Sequence, residues 1–116
     1  APIFFHSCGA VSTFIPELIE IGIQILNPIQ VKSQGMDLRK LKKEYGKQIV
    51  FWGGVDTQYV LPFGKPSEVR DEVRRRIDEL APGGGYVLSA VHNIQADVPP
   101  QNIIALFEEA IQYGRY

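Results

Sequence analysis

Apolar residues along this chain fall into two patterns: short unbroken runs, and longer stretches in which they recur at helical spacing. The runs are Pro2–Phe5, Ile23–Leu26, Gln48–Trp52 and Tyr86–Ser89. After the first run, Val11, Phe14, Ile15, Leu18, Ile19 and Ile21 predict a helix, with Ser12 or Thr13 as its cap and Gly22 as its end. Asn27-Pro28 and a polar loop through Gly35 close the second run. Asp37 opens a charged amphipathic helix with Leu38, Leu41 and Tyr45 on one face and Gly46 as its stop. Pro66 starts a third helix, whose Val69, Val73, Ile77 and Leu80 form a buried stripe. Gly83–Gly85 turns the chain into the fourth run, and Pro99-Pro100 begins the last helix, predicted to bury Ile103, Ile104, Leu106, Phe107, Ala110 and Ile111.

The order is strand then helix, four times over. Apolar strands without alternation, separated by amphipathic helices, predict an α/β fold with parallel pairing, right-handed crossovers and strands covered on both faces. In such folds functional loops lie at the carboxyl ends of strands. Those ends carry His6 and Cys8, then Asn27 and Gln30, then Gly53 and Asp56, then Ser89, His92 and Asp97. Four βα units are half of a (β/α)8 barrel, which takes about 250 residues. The expectation is therefore that residues 1–116 are the C-terminal half of such a barrel domain. Two unpaired edges predict that two copies pair as a homodimer.

Composition narrows the function classes. The 116 residues are 45% hydrophobic and 22% charged, as in ordinary globular domains. A net charge of −1 supplies no basic field for nucleic acid or an anionic membrane surface, so neither is expected as a partner. No apolar run approaches the about 20 residues that span a bilayer, and a single cysteine excludes an internal disulfide, so the expected location is cytoplasmic. The run Arg74-Arg75-Arg76 alternates with Asp71, Glu72, Asp78 and Glu79 and reads as a solvated face. Gly83-Gly84-Gly85 precedes a strand, the wrong order for a loop that cradles phosphate.

The candidate chemistry rests on His6, Cys8 and His92, which are both histidines and the one cysteine of the chain. In extended backbone, residues i and i+2 point to one side, so His6 and Cys8 can grip one ion while the fold returns His92 toward them. Three protein ligands and one open position describe a catalytic zinc site. The plainer alternative is that Cys8 is a small buried residue and His6 bonds a neighbouring strand end. Asp56 follows two glycines at a strand end, where it either serves the site or caps a local turn. Asp97 is expected to cap the last helix. Trp52 and Phe51 wall a pocket or fill the core.

His6-Ser7-Cys8-Gly9, Phe51-Trp52-Gly53-Gly54-Val55-Asp56, Gly84-Gly85-Tyr86-Val87-Leu88, His92-Asn93-Ile94 and Asp97-Val98-Pro99-Pro100-Gln101-Asn102 occur in an order that resembles the C-terminal half of the uroporphyrinogen decarboxylase superfamily. The resemblance covers nearly the whole chain and implies a (β/α)8 (TIM) barrel with one of two activities. One branch comprises zinc-dependent methyltransferases that move a methyl group between a corrinoid, carried on a partner protein, and a thiol. Its His-x-Cys pair corresponds to His6 and Cys8, and His92 stands where that branch has its third ligand, a cysteine. This branch is the main expectation, with zinc held by His6, Cys8 and His92 and a thiol as the small-molecule substrate. The other branch is the cofactor-free decarboxylase of haem synthesis, in which a histidine near the last strand contacts the substrate, a position that His92 also fits. That branch lacks the His-x-Cys pair, and its arginine-rich motif belongs to a region outside these residues. His92 and Asp56 are the expected catalytic residues in either case. A third expectation is an inactive fragment that associates through its strand edges.

Overall fold

The structure, a computed structural model, describes residues 1–30 and 36–115. Its elements are β1 (Phe4–His6), a 3₁₀ turn (Ser12–Phe14), α1 (Ile15–Glu20), β2 (Ile25–Ile29), α2 (Leu38–Tyr45), β3 (Val50–Val55), α3 (Val60–Phe63), α4 (Pro66–Leu80), β4 (Tyr86–Ala90) and α5 (Pro100–Tyr113). The four strands form one sheet in the order β1-β2-β3-β4, parallel at every pairing. This is the α/β arrangement of successive βα units that the hydrophobic pattern predicts, and it is consistent with part of a (β/α)8 barrel. Among the described residues, no helix is long and apolar enough to cross a membrane.

Local chemistry explains the helix boundaries. The Asp37 carboxylate accepts a hydrogen bond from the Lys40 backbone N–H at 3.2 Å and so caps α2. Pro66 occupies the start of α4, where its missing N–H leaves no intrahelical bond unmade. The first helix is shorter than predicted, and neither Ser12 nor Thr13 caps it through its side chain. Pro16 accounts for this, since it cannot donate within a helix and confines the α-helix to the residues around and after it, leaving a 3₁₀ turn ahead. Gly22 follows that helix at φ +100°, the conformation expected of its terminating residue.

The inner strands run further than the apolar runs. β2 continues through Asn27-Pro28 to Ile29, with a register shift against β3 between Leu26 and Ile29 that accommodates the residue lacking an N–H. The rest of the expected loop, residues 31–35, lies outside the described residues. β3 continues through Gly53 and Gly54 to Val55. A Cβ on Gly53 would stand 3.0 Å from the Ile29 backbone nitrogen, so glycine is what lets β3 lie against the shifted part of β2.

Two apolar clusters flank the sheet. One joins Ile15, Leu26, Ile29, Leu41, Phe51 and Leu80; the other joins Val55, Leu61, Val69, Val73, Ala105 and Leu106. The Val69–Val73–Ile77–Leu80 stripe of α4 is buried as predicted. Burial on both strand faces holds mainly for β2 and β3; β1 is largely exposed and β4 is half-buried throughout. On α5 the prediction fails in part. Ile104, Phe107 and Ile111 are 56%, 56% and 61% exposed, whereas Asn102, Ala105, Leu106 and Glu109 are buried. The helix has turned its polar positions inward because those polar groups have partners there: Asn102 Nδ2 donates to the carbonyls of Leu61 and Gly64, both at 2.8 Å, and Glu109 accepts from Arg70 and Arg74.

The arginine run is likewise not wholly solvated. Arg76 is 8% exposed and its guanidinium lies between Glu72, at 3.0 Å, and Glu79, at 2.6 Å. Helical spacing puts Glu72 and Glu79 within reach of it on the packed side of α4. Asp97 sits exposed in a turn, and α5 begins at Pro100 without a side-chain cap, so the expected capping role is not found. The Pro99-Pro100 pair sets the backbone for helix entry without it.

Candidate site at the carboxyl edge of the sheet

Parallel pairing places His6, the last residue of β1, opposite Asn27 in the middle of β2. The His6 ring Nδ1 is 2.6 Å from Asn27 Oδ1, and Asn27 Nδ2 reaches the Trp52 carbonyl on β3 at 3.4 Å. Three residues beyond β1, Gly9 N–H donates to Gln30 Oε1 at 2.6 Å, which ties the Ser7–Gly9 turn to the end of β2. That turn, with Gly9 at φ +93°, presents Cys8 to solvent.

Cys8 Sγ then lies 3.7 Å from His6 Nε2 and 3.9 Å from His92 Nδ1. The fold therefore brings together side chains 84 positions apart, as the strand–helix repetition requires. Cys8 is exposed, which sets aside its reading as a buried filler. Of the alternative for His6, a bond to the neighbouring strand is present, though to Asn27 in the middle of β2 and not to its end.

A cavity of about 640 Å³ opens over this edge, lined by Phe4, His6, Asn27 and Trp52 from the first three strands and by Ser89–Asn93 and Gln95 from β4 and the loop after it. Phe4 and Trp52 meet edge to face, with ring centroids 5.2 Å apart, and wall one side. Trp52 thus belongs to the pocket, whereas Phe51, fully buried, belongs to the core. His6 and His92 are the ionisable side chains of the lining. Ser89 lines the same cavity.

Asp56 is placed differently. It is 4% exposed, is absent from the cavity lining, and its Oδ1 accepts from Gln58 N–H at 2.9 Å. The observed bond is that of an Asx turn leading into α3.

Whether the three candidate ligands suit zinc can be judged from distances. Tetrahedral zinc with Zn–S about 2.3 Å and Zn–N about 2.0 Å holds a sulfur and a nitrogen about 3.5 Å apart, a little less than either separation from Cys8. The pairs fit, but among the described residues no group of three His, Cys, Asp or Glu side chains is arranged to hold a metal ion. The cysteine bridges the two histidines without the three converging.

Sequence reasoning placed Asn27 and Gln30 at a strand end but gave them no task. The available signal was the parallel register, which sets an amide beside His6. Asn102 was also missed; a lone amide on the apolar side of a helix that follows a Pro-Pro entry was its trace.

Comparison with known proteins adds to this geometry. The chain is similar to proteins named uroporphyrinogen decarboxylase from Methylococcus capsulatus (23% identical over 78 residues, 67% of this chain), Actinobacillus succinogenes (25% over 80 residues, 69%) and Ralstonia nicotianae (26% over 83 residues, 69%). The matched region covers 22% of each relative's length. The family model described as Uroporphyrinogen decarboxylase (URO-D) matches residues 1–113, and the chain belongs to that family.

Proposed function

We propose that the carboxyl edge of the sheet is one wall of the active site of a decarboxylase acting, without a cofactor, on a porphyrinogen-like polycarboxylate. The observation that carries this reading is His92. It stands just beyond β4, lines the open cavity, and belongs to a chain whose matched relatives bear the decarboxylase name. Imidazole is the side chain suited to exchanging a proton near neutral pH. In its protonated form His92 gives a proton to an electron-rich ring carbon of the substrate. The bond to the adjoining carboxylate then breaks, its electron pair flows into the protonated ring, and CO2 leaves. A proton added at the carbon that lost the carboxylate, with loss of the ring proton, completes the exchange; one proton is consumed overall. Phe4 and Trp52 supply an apolar wall for a flat ring. The cationic groups that a polycarboxylate requires belong, on the family resemblance, to a region outside these 116 residues. Asp56 holds the turn into α3 in this reading and does not touch substrate. The test is CO2 release from uroporphyrinogen. Loss of release in His92→Gln, with Cys8→Ser active, is expected; unchanged release in His92→Gln overturns the role of His92.

A second reading is favoured by one observation, the position of Cys8 Sγ between two imidazole nitrogens. In it His6, Cys8 and His92 would be the residues to hold zinc once drawn together around it, and zinc there would supply a lowered thiol pKa for attack on a methyl group of a corrinoid partner protein. Elemental analysis after zinc-supplemented expression separates the two readings. Metal at one ion per chain, lost in Cys8→Ser, supports the second; a zinc-free protein with full activity supports the first. Both readings include a homodimer, because β1 and β4 each leave an edge open and two parallel four-stranded sheets can close into eight strands. Sedimentation showing a single 13.0 kDa species at every concentration would exclude it.

A further inference from the structure

We propose that Asn27 is a positioning residue that fixes the tautomer of His6, so that Nε2 carries a bare lone pair aimed at Cys8 Sγ. The inference follows from donor and acceptor accounting. The Asn27 amide has two ends. Its Nδ2, which can only donate, faces the Trp52 carbonyl, which can only accept, so Oδ1 is the atom turned toward His6. An amide oxygen offers no hydrogen, and it lies 2.6 Å from His6 Nδ1. The proton of that short bond must therefore sit on Nδ1. In a neutral imidazole one nitrogen holds the proton and the other does not, which leaves Nε2 unprotonated. Nε2 is the atom 3.7 Å from Cys8 Sγ.

The direction of the whole string is set from its far end. Trp52 O accepts from Asn27, Asn27 Oδ1 accepts from His6, and His6 Nε2 is left to accept from the Cys8 thiol or, with the thiol proton gone, to share a bound electrophile with the sulfur. The support is shared by β2: Gln30, three residues beyond Asn27, accepts from Gly9 N–H and holds the turn that carries the sulfur. One strand thus orients both members of the His6–Cys8 pair. The proposal rests on this edge being the functional site, and it holds for either reaction proposed there.

The test is the tautomer itself, read from long-range ¹H–¹⁵N correlations of histidine-labelled, metal-free protein at a pH where both imidazoles are neutral. His6 is expected as the Nδ1–H form. Asn27→Ala should convert it to a mixture dominated by Nε2–H, the form free histidine prefers, and Asn27→Asp, which keeps an acceptor oxygen, should restore Nδ1–H. The Asp variant also guards against a folding defect in the Ala variant. Wild-type His6 in the Nε2–H form, or an unchanged tautomer in Asn27→Ala, overturns the proposal. Because neither substrate nor metal is present, this result is independent of the activity and zinc measurements. Where zinc does bind, loss of a residue that orients a ligand costs about 10- to 100-fold in affinity; Asn27→Ala should show that loss and Asn27→Asp should recover it.

Discussion

The two ends of the sheet are built by different means. Toward β4, the 15-residue α4 and the 14-residue α5 pack against each other over a continuous apolar cluster and are joined by the ion pairs of Arg70 and Arg74 with Glu108 and Glu109. Toward β1, a three-residue strand and a six-residue helix leave Phe4, Phe14 and Ile21 exposed, and the ordered contacts are side-chain amides to single backbone or ring atoms. The candidate site draws on both ends: His6 and Cys8 belong to the β1 side, and His92 follows β4. The larger apolar packing lies with α4, α5 and the inner strands, whereas His6 and the Cys8 turn are held by the amides of Asn27 and Gln30.

The largest effect should come from the apolar cluster that joins β2, α2 and β3. Phe51, fully buried on β3, touches the cluster beneath β2 and α2, and Phe51→Ala should lower unfolding free energy by about 3–5 kcal/mol in denaturant titration. Arg76→Met comes next. It strands the buried Glu72 carboxylate, and breaking such a pair costs about 3–5 kcal/mol. A near-neutral result would mean that Glu72 reaches water when its partner is lost.

A pH effect is expected at the well-packed end. The Arg74 and Arg70 guanidiniums hold the Glu109 carboxyl below its ordinary value of 4.5, against the opposing effect of burial. A carboxyl lowered in the folded state stabilises it above the unfolded value, and this contribution is lost as pH falls through the lower folded value. Glu109→Gln should therefore be less stable at neutral pH and should lose less stability than wild type below about pH 4.5. Equal slopes for the two proteins would refute the assignment. The smallest effect belongs to the thin end: Ser12 makes no capping bond, so Ser12→Ala should change stability by no more than about 0.5 kcal/mol.

What the sequence made legible follows the same division. The α4 stripe, the Asp37 cap and the Pro66 entry are local patterns with local causes, and the structure matches them. The inward turn of α5 was not legible. Helical periodicity favoured Ile104, Phe107 and Ile111, whereas the buried face was chosen by partners on other elements, Arg70, Arg74 and the Leu61 and Gly64 carbonyls. The strands were cut short in the reading because Pro28 and Gly53-Gly54 ordinarily end strands; here the register shift absorbs the one and a close backbone approach requires the other. That Cys8 lies near both His6 and His92 was legible from residue type and strand-end position. The support from Asn27 and Gln30 depends on register, which no single stretch of sequence contains. Asp56 shows the converse, a suggestive residue type whose observed bond to Gln58 is that of a local turn.

The most direct test of the proposed function is CO2 release from uroporphyrinogen, measured for the zinc-depleted protein alongside its Cys8→Ser and His92→Gln variants. The proposed decarboxylase releases CO2 without metal, keeps doing so when Cys8 is replaced, and stops when His92 is replaced. Absence of CO2 release from the wild type, together with zinc bound at one ion per chain and lost in Cys8→Ser, would contradict it and assign the edge to thiol chemistry instead.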